Sequence, residues 1–327
     1  MSNDKDLLPY RVGGLLYTPA TRTGIVEKIE KNLYPGLTSV AFCLEDSICD
    51  DAVELAEDRL VVTLADLSKL RVSQPRTPLV FIRVRNPEHL KNFSKKMMRA
   101  QVSADGFIFP KFDVSNAAEY MKILKDMQAS FENTVYCMPI LESRLVASLG
   151  NRVAMLEEVR DVLNSEKDLV LNVRVGGNDL SNLYGIRRSA NQVIYDIGVV
   201  RDILSNIVNV FGSEFVVSGP VWEYFGSNEI DEWAVGLKRE IELDLVNGFF
   251  GKTAIHPSQL PIITKSLMVN RADYEDARSI LSWRDNTLAV EKSFDGSRMN
   301  EFKCHINWAR KIVMRAEIYG VNGGEGK

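Results

Sequence analysis

Histidine and cysteine are scarce in this chain of 327 residues, with three of the first and four of the second. His89, His256 and His305 stand far apart, and no H-E-x-x-H stretch occurs, so a histidine-built zinc centre is not expected. Cys43, Cys49, Cys137 and Cys304 are too scattered for paired zinc-ligand spacing and too few for a disulfide scaffold of this size. They point to a reducing, cytoplasmic compartment. Long apolar runs are missing as well: no window approaches the roughly 18 to 20 residues that span a bilayer. The polar opening, Met1 to Asp6, is not followed by a signal-like apolar stretch. Membrane insertion and standard secretion are therefore not expected. Nor is there an excess of positive charge, since 40 Lys and Arg stand against 44 Asp and Glu for a net charge of −4. That balance offers no clustered basic field to nucleic acid or to a membrane surface, although a small anionic ligand could be held locally. No G-x-G-x-x-G follows the first apolar run and no G-x-x-x-x-G-K-[ST] occurs, which removes the dinucleotide and P-loop signatures.

What is present is an alternation. Apolar runs of strand length recur at Gly14 to Thr18, Ser39 to Leu44, Leu79 to Val84, Gly106 to Phe109, Val135 to Ile140, Leu169 to Val175, Glu214 to Val217 and Phe249 to Ile255. Most are continuous, as expected of parallel strands covered on both faces. Helical spacing lies between them, with one stripe at Leu55, Ala56, Leu60, Leu64 and Leu67 and another at Ala117, Ala118, Met121, Leu124 and Met127. A doubly wound open sheet makes the same local pattern, but a count of eight favours a (β/α)8 TIM barrel, an α/β fold. Residues 1–268 are assigned to the barrel and 269–327 to a C-terminal helical extension or lid. In that extension helices are expected at Tyr274 to Trp283 and Phe302 to Tyr319, joined by a polar segment, Arg284 to Arg298. The glycine-rich end, Gly323 to Lys327, reads as a frayed tail.

In a barrel the catalytic side chains gather where strands finish. Arg22 follows the first run, Glu45 and Asp46 the second, Arg83 and Arg85 end the third, and Lys111 follows the fourth. Glu142 follows the fifth and Asp179 the sixth, while Lys252 and His256 flank the end of the eighth. Taken singly, Asp46 and Asp179 could cap helices, the cations could belong to a structural ion-pair ring, and Gly176 and Gly177 could give the backbone room to turn. Their co-occurrence at successive strand ends argues for a site. Two carboxylates on neighbouring strands, Glu142 and Asp179, suit magnesium, which commonly takes one or two protein carboxylates and completes its shell with water and ligand oxygens. Arg22, Arg83, Arg85 and Lys111 imply an acidic substrate, a guanidinium fork matching a carboxylate in bidentate geometry. A small oxo or hydroxy acid is the natural occupant.

These residues resemble the citrate lyase β-subunit-like branch of the magnesium-dependent HpcH/HpaI-type aldolases and carbon–carbon lyases. Arg-Val-Gly-Gly-Leu-Leu-Tyr-Thr-Pro (Arg11 to Pro19) is similar to that family's first strand, and Leu-Glu-Asp (Leu44 to Asp46) to its acidic motif. Ile-Arg-Val-Arg-Asn-Pro (Ile82 to Pro87), Phe-Pro-Lys (Phe109 to Lys111) and Pro-Ile-Leu-Glu-Ser (Pro139 to Ser143) resemble the third-, fourth- and fifth-strand motifs. Gly-Gly-Asn-Asp-Leu (Gly176 to Leu180) looks like G-x-x-D-L, and Gly-Lys-Thr-Ala-Ile-His-Pro-Ser-Gln (Gly251 to Gln259) like G-K-x-x-I-H-P-x-Q. The resemblance runs from Arg11 to about Arg310 and is nearest a divergent subgroup associated with tellurite-resistance genes.

The resemblance implies a lyase that cleaves or forms a 3-hydroxy acyl thioester, or a related hydroxy acid, with a small 2-oxo acid such as oxaloacetate, pyruvate or glyoxylate. It implies Glu142 and Asp179 as magnesium ligands, Arg83 and Lys111 as catalytic, and Arg22, Arg83, Arg85, Glu45, Asp46, Ile255 and His256 around the substrate. Coenzyme A or a carrier protein would carry the acyl group, and the protein would form a trimer or hexamer. Two positions depart from the family pattern. Cys43 takes the first place of the acidic D-L-E-D. Asn300 stands where acyl-CoA lyases carry an Asp that reaches a neighbouring subunit's site, and an amide cannot shuttle a proton. The competing reading is a non-catalytic magnesium and oxo-acid-binding scaffold within a larger complex.

Overall fold

Eight short strands form, one from each of the eight apolar runs: β1 Gly14–Pro19, β2 Ser39–Cys43, β3 Leu79–Arg83, β4 Gly106–Phe109, β5 Tyr136–Leu141, β6 Asn172–Val175, β7 Val216–Ser218 and β8 Lys252–Ala254. This computed structural model describes residues 4–322 apart from 76 and 284–287; the tail read as frayed, Gly323 to Lys327, lies outside the described residues. Each strand pairs in parallel with the next, and β1 also pairs with β8. Between β7 and β8 the pairing thins to one bridge, Gly219 to Lys252, with Gly219 N donating to Gly251 O at 3.1 Å and Phe250 N to Val217 O at 2.7 Å. These contacts close a (β/α)8 TIM barrel, with helices between the strands.

The chain divides into two compact units, residues 12–263 and residues 1–11 with 264–327. In the first, the barrel strands are apolar because helices cover one face and the interior the other: every residue of β2 and β4 is buried. The helix Val53–Ser73 buries Ala56, Leu60, Leu64, Leu67 and Leu70, and the helix Ala117–Gln128 buries Ala117, Tyr120, Met121, Leu124 and Met127. Leu55 and Ala118, placed in the sequence stripes, face solvent instead. Each is one residue, about 100°, away from a residue that defines the buried face, and the true stripes run on through Leu70 and Tyr120.

β6 breaks the apolar rule in a regular way. Asn172 and Arg174 alternate with Val173 and Val175, so that with period two the polar pair shares one face. Asn172 Oδ1 accepts from Ser218 Oγ of β7 at 2.8 Å, and Arg174 Nη2 donates to Thr253 Oγ1 of β8 at 2.8 Å. That face is the barrel interior.

The thin β7–β8 seam is backed by side chains. Lys252, the first residue of β8, turns its ammonium outward to Glu240 Oε1 and Asp244 Oδ2 of the helix Glu232–Val246, both at 2.7 Å. Arg188 reaches Glu240 and, at 2.7 Å, Glu223, while Tyr195 Oη donates to Asp244 Oδ1 at 2.7 Å. A Cβ on Gly219 would stand 2.5 Å from Asp244 Oδ2, so glycine leaves the space this carboxylate occupies. Burial, reinforced by Glu240, pushes Asp244 up to about 6, against the pull of Lys252. Lys252, read as a rim cation, therefore serves the opposite end of its strand.

In the second unit the helices Asp4–Arg11, Arg271–Leu281 and Phe302–Tyr319 are present, and Val269, Ala277, Ile280, Ala309 and Ile312 form a core. The segment between the last two helices, expected as a polar connection, contains an antiparallel hairpin, β9 Val290–Lys292 with β10 Met299–Glu301. Arg298 ties it down through Asp273 and Asp276 and lies 5.5 Å over the Trp308 ring. Asn300 is buried beside Asp276, so this side chain faces into its own unit. No described helix is long and apolar enough to cross a membrane.

Replacing Lys252 with Met leaves Asp244 buried without its cation and Glu240 with Arg188 alone. Urea unfolding should show a loss of about 3 to 5 kcal/mol. A loss below about 1 kcal/mol, the size of an exposed pair, would mean that the cluster does not hold the seam.

Candidate active site

Because all eight strands run in parallel, their carboxyl ends share one rim. Register then decides which side chains meet: Pro19, Cys43 and Arg83 stand abreast on β1, β2 and β3. That brings the Arg83 guanidinium to the acids just past β2. Its Nη2 lies 2.6 Å from Glu45 Oε2, 2.9 Å from Asp46 Oδ2 and 3.3 Å from Glu142 Oε1. Lys111, after β4, takes a left-handed backbone conformation (φ 49°), and its N–H donates to Glu142 Oε1 at 3.1 Å. The Lys111 ammonium pairs with Glu45 and stands 3.4 Å from Asp46 Oδ1.

Glu142 and Asp179 come from adjacent strand ends. Leu141 of β5 is in register with Val175 of β6, which sets Glu142 against Gly176. A Cβ at Gly176 would fall 2.0 Å from Glu142 Oε2, and one at Gly177 2.7 Å from Pro220 Cβ. Gly176 has φ −92°, so a turn does not require glycine there; the carboxylate does. Asp179, in the short helix Gly177–Asn182, acts on Glu142 as a like charge. Among the described residues its carboxylate has no hydrogen-bond or ion-pair partner.

The electrostatics follow from burial. Desolvation pushes Glu142 up to about 7, helped by Asp179 and Glu45 and opposed by Arg83 and the Lys111 N–H. Asp46 is held below its ordinary value: burial works against this, but a hydrogen bond with Glu45 and the charges of Arg83 and Lys111 prevail. Lys111 is raised despite burial by Glu45, Asp46 and Glu142, so it is an ammonium at neutral pH.

The remaining expected site residues lie in two places. Arg85 is engaged with the loop after β2, donating to Leu44 O at 3.2 Å and Ile48 O at 3.3 Å and pairing with Asp50. Arg22, after β1, and His256, after β8, are close enough that the arginine's charge adds to burial in lowering the imidazole. His256 stacks on Phe225 with centroids 4.4 Å apart, and Ile255 beside it is exposed. Phe225 was missed because an isolated aromatic in a polar loop carries no sequence signal. Tyr17 was read only as part of the first strand; its ring lies 6.0 Å from the Arg83 guanidinium carbon.

Two polar atoms at the ends of β3 and β5 are buried without a partner: Arg83 Nε and Ser143 Oγ. Orphaned buried donors are costly, and such atoms at a strand-end rim fit a ligand that would satisfy them. Among the described residues no three His, Cys, Asp or Glu side chains gather into a metal-holding group. A pair of carboxylates, however, is the usual protein share of a magnesium shell.

A family model described as the C-C bond lyase of the TIM-barrel fold matches residues 6–321. The chain belongs to this family of carbon–carbon bond lyases. No curated protein matches the sequence. Among solved structures, a citrate lyase from Burkholderia xenovorans is similar to this lyase at a TM-score of 0.72 and 15% identity, over 96% of this chain and 94% of that one. CitE from Mycobacterium tuberculosis, in complex with magnesium, acetoacetate and coenzyme A, is similar at a TM-score of 0.59 and 19% identity, over 94% and 99%. A malate synthase from Haloferax volcanii reaches 0.58 at 11% identity, over 77% and 73%. At such identities the likeness is one of fold.

For this lyase without divalent cations, Glu142 sets a pH dependence of stability. Its folded pKa of about 7 lies above the ordinary 4.5, so its contribution is complete below about 4.5 and lost as pH rises through about 7. The full swing is about 3 kcal/mol. Chemical unfolding in a chelator should show this slope in the wild type and a flatter profile for Glu142→Gln; identical profiles would refute the assignment.

Proposed function

We propose that this lyase uses magnesium to cleave or form the carbon–carbon bond of a 3-hydroxy acyl thioester or related hydroxy acid, with a small 2-oxo acid such as oxaloacetate, pyruvate or glyoxylate as partner. The observation that carries the reading is the charge at the rim. Arg83 and Lys111 stand against Glu45, Asp46, Glu142 and Asp179, two cations facing four acids, and burial resists ionisation of Glu142. A divalent cation would neutralise that excess, with Glu142 and Asp179 as its protein ligands. The magnesium, acetoacetate and coenzyme A held by M. tuberculosis CitE are consistent with a small acid presented as a thioester.

Bound there, magnesium supplies Lewis-acid polarisation of the oxo-acid oxygens. The protein's residues do the rest. Arg83, with its buried Nε unpartnered, would receive the ligand carboxylate and offset charge as it develops. Lys111 is a protonated positioning residue: its ammonium holds Glu45, and its backbone N–H fixes one oxygen of Glu142. Arg22, Ile255 and His256, with Phe225 stacked on the imidazole, would line the mouth for the acyl portion, with Glu45 and Asp46 opposite.

Calorimetry should detect magnesium binding to the wild type and none to Glu142→Ala or Asp179→Ala. Turnover of malyl-CoA and citramalyl-CoA should vanish in both variants, and Arg83→Met should lose roughly a hundredfold or more, the effect of about 3 kcal/mol of fixed-charge stabilisation. Wild-type turnover surviving both carboxylate losses would end the metal assignment.

A further inference from the structure

Gln259 opens the helix Gln259–Ser266 just past β8 and is fully buried. Its Oε1 accepts from the Ile255 N–H at 2.8 Å and the His256 N–H at 3.2 Å. Its Nε2 donates to Trp222 O at 2.9 Å and Tyr224 O at 2.8 Å. Both donors and both acceptor sites of the amide are in use, and they join the loop after β7 to the loop after β8. Past the bridge between Gly219 and Lys252, a side-chain amide does for these loops what peptide groups do between strands. The β7 loop is held a second way: Arg188 donates to Val221 O at 2.5 Å, and the Tyr224 hydroxyl donates to Arg188 O at 2.7 Å. So many bonds fix where Phe225 and His256 stand.

The His256 ring lies 10° from parallel with Phe225. Its Nδ1 accepts from the Ser258 N–H at 3.2 Å and stands 2.8 Å from Ser258 Oγ. A backbone N–H can only donate, so Nδ1 carries no proton and the neutral ring bears its proton on Nε2. Protonating Nδ1 would set two N–H groups against each other, which disfavours the imidazolium. Burial and the charge of Arg22 act in the same direction, and among the described residues no carboxylate is hydrogen-bonded or ion-paired to the ring. Nε2 has no partner among them either, and it is not buried. His89 provides the contrast. Its Nδ1 accepts from the Arg85 N–H at 3.0 Å, but its Nε2 meets Glu57 Oε1 at 2.9 Å, so that donor is already taken. The donor of His256 is open at the rim, beside the exposed Phe225 and Ile255.

We propose that His256 gives its Nε2–H, as an uncharged donor, to the carbonyl oxygen of the ligand's acyl portion, and that Gln259 is the positioning residue that holds it there. The inference rests on the lyase reading above and gives one rim residue a defined task in it. A neutral N–H suits a carbonyl oxygen, because it bonds the acceptor without bringing a charge that must be desolvated. The ring keeps its proton throughout. Phe225 confines the imidazole to one plane and Gln259 fixes the two loops that carry the pair, so the donor is in place before the ligand arrives.

The tests use the full-length protein, with acetoacetyl-CoA and magnesium as the probe. The chain has three histidines, so in protein labelled with nitrogen-15 at histidine the NMR signals missing from His256→Gln belong to His256. At pH 6.5, where an ordinary imidazole is half protonated, they should be those of a neutral ring protonated at Nε2. Gln259→Leu should displace them at every pH. In Gln259→Glu the carboxylate still accepts from Ile255 and His256 but offers no donor to the two carbonyls, and its protonation restores one. As pH falls, the signals of that variant should therefore approach those of the wild type at the same pH.

Calorimetry should show the probe binding roughly tenfold more weakly to His256→Leu, the effect of one lost hydrogen bond. His256→Gln, whose amide N–H takes the place of Nε2–H, should recover most of that loss. The ratio of wild-type to His256→Leu affinity should stay level as pH falls from about 8 to about 6, as an uncharged donor requires. A proton on Nδ1 or an imidazolium at pH 6.5, undiminished binding in His256→Leu, a ratio that climbs at low pH, or unmoved signals in both Gln259 variants would overturn the proposal. Failure of the wild type to bind the probe, with the His256 signals as expected, would instead overturn the lyase reading.

Discussion

The burial of one carboxylate, Glu142, conditions the rest of this rim. A desolvated acid persists only if donors hold it, and here Arg83 and the Lys111 N–H both converge on the same oxygen. That demand explains several features that look unrelated in the sequence. Lys111 adopts a left-handed backbone so that its N–H can point inward, Gly176 gives up a side chain so that the other oxygen has space, and Arg83 is aimed by the β2–β3 register. The same demand leaves the group poorly neutralised, because Asp179 and Glu45 add charge of the same sign. That uncompensated charge is what supports the proposal of a small, hard cation at this rim.

The barrel interior has a second polar layer of another kind. Asn172, Arg174, Ser218 and Thr253 are tied to one another by hydrogen bonds, and their charge balance runs the opposite way, one cation and no acid. Tyr17 of β1 lies with its ring 6.0 Å from the Arg83 guanidinium carbon at the rim. An acidic rim and a cationic layer within the barrel give its axis a polarity that the surrounding apolar staves could not.

Much of this was legible in the chain itself. Continuous apolar runs marked every strand, because parallel strands are covered on both faces. The strand-end rule placed Glu45, Asp46, Arg83, Lys111 and Glu142, which the structure does bring together. It failed for Lys252, because a strand of three residues puts its first side chain as near the motif as its last, and facing is not written in spacing. Arg174 and Asn172 were hidden inside a run counted as apolar; only the two-residue alternation of β6 betrayed them. Gly176 was read as conformational freedom, when the need was for volume. The hairpin of residues 290–301 was unreadable for a different reason: its strands are three residues long and hold through Arg298 and two acids of a distant helix.

The seam between β7 and β8 has a consequence for how the chain reaches its folded state. β1 and β8 are neighbours in space although nearly the whole barrel sequence lies between them, so closure comes only when the last stave docks. Until Lys252 arrives, Asp244 has no cation beside it and Glu240 has only Arg188. During synthesis on the ribosome, an N-terminal fragment ending before residue 252 would thus lack both the last stave and the cation that Asp244 faces. The cylinder can close only once its final segment emerges.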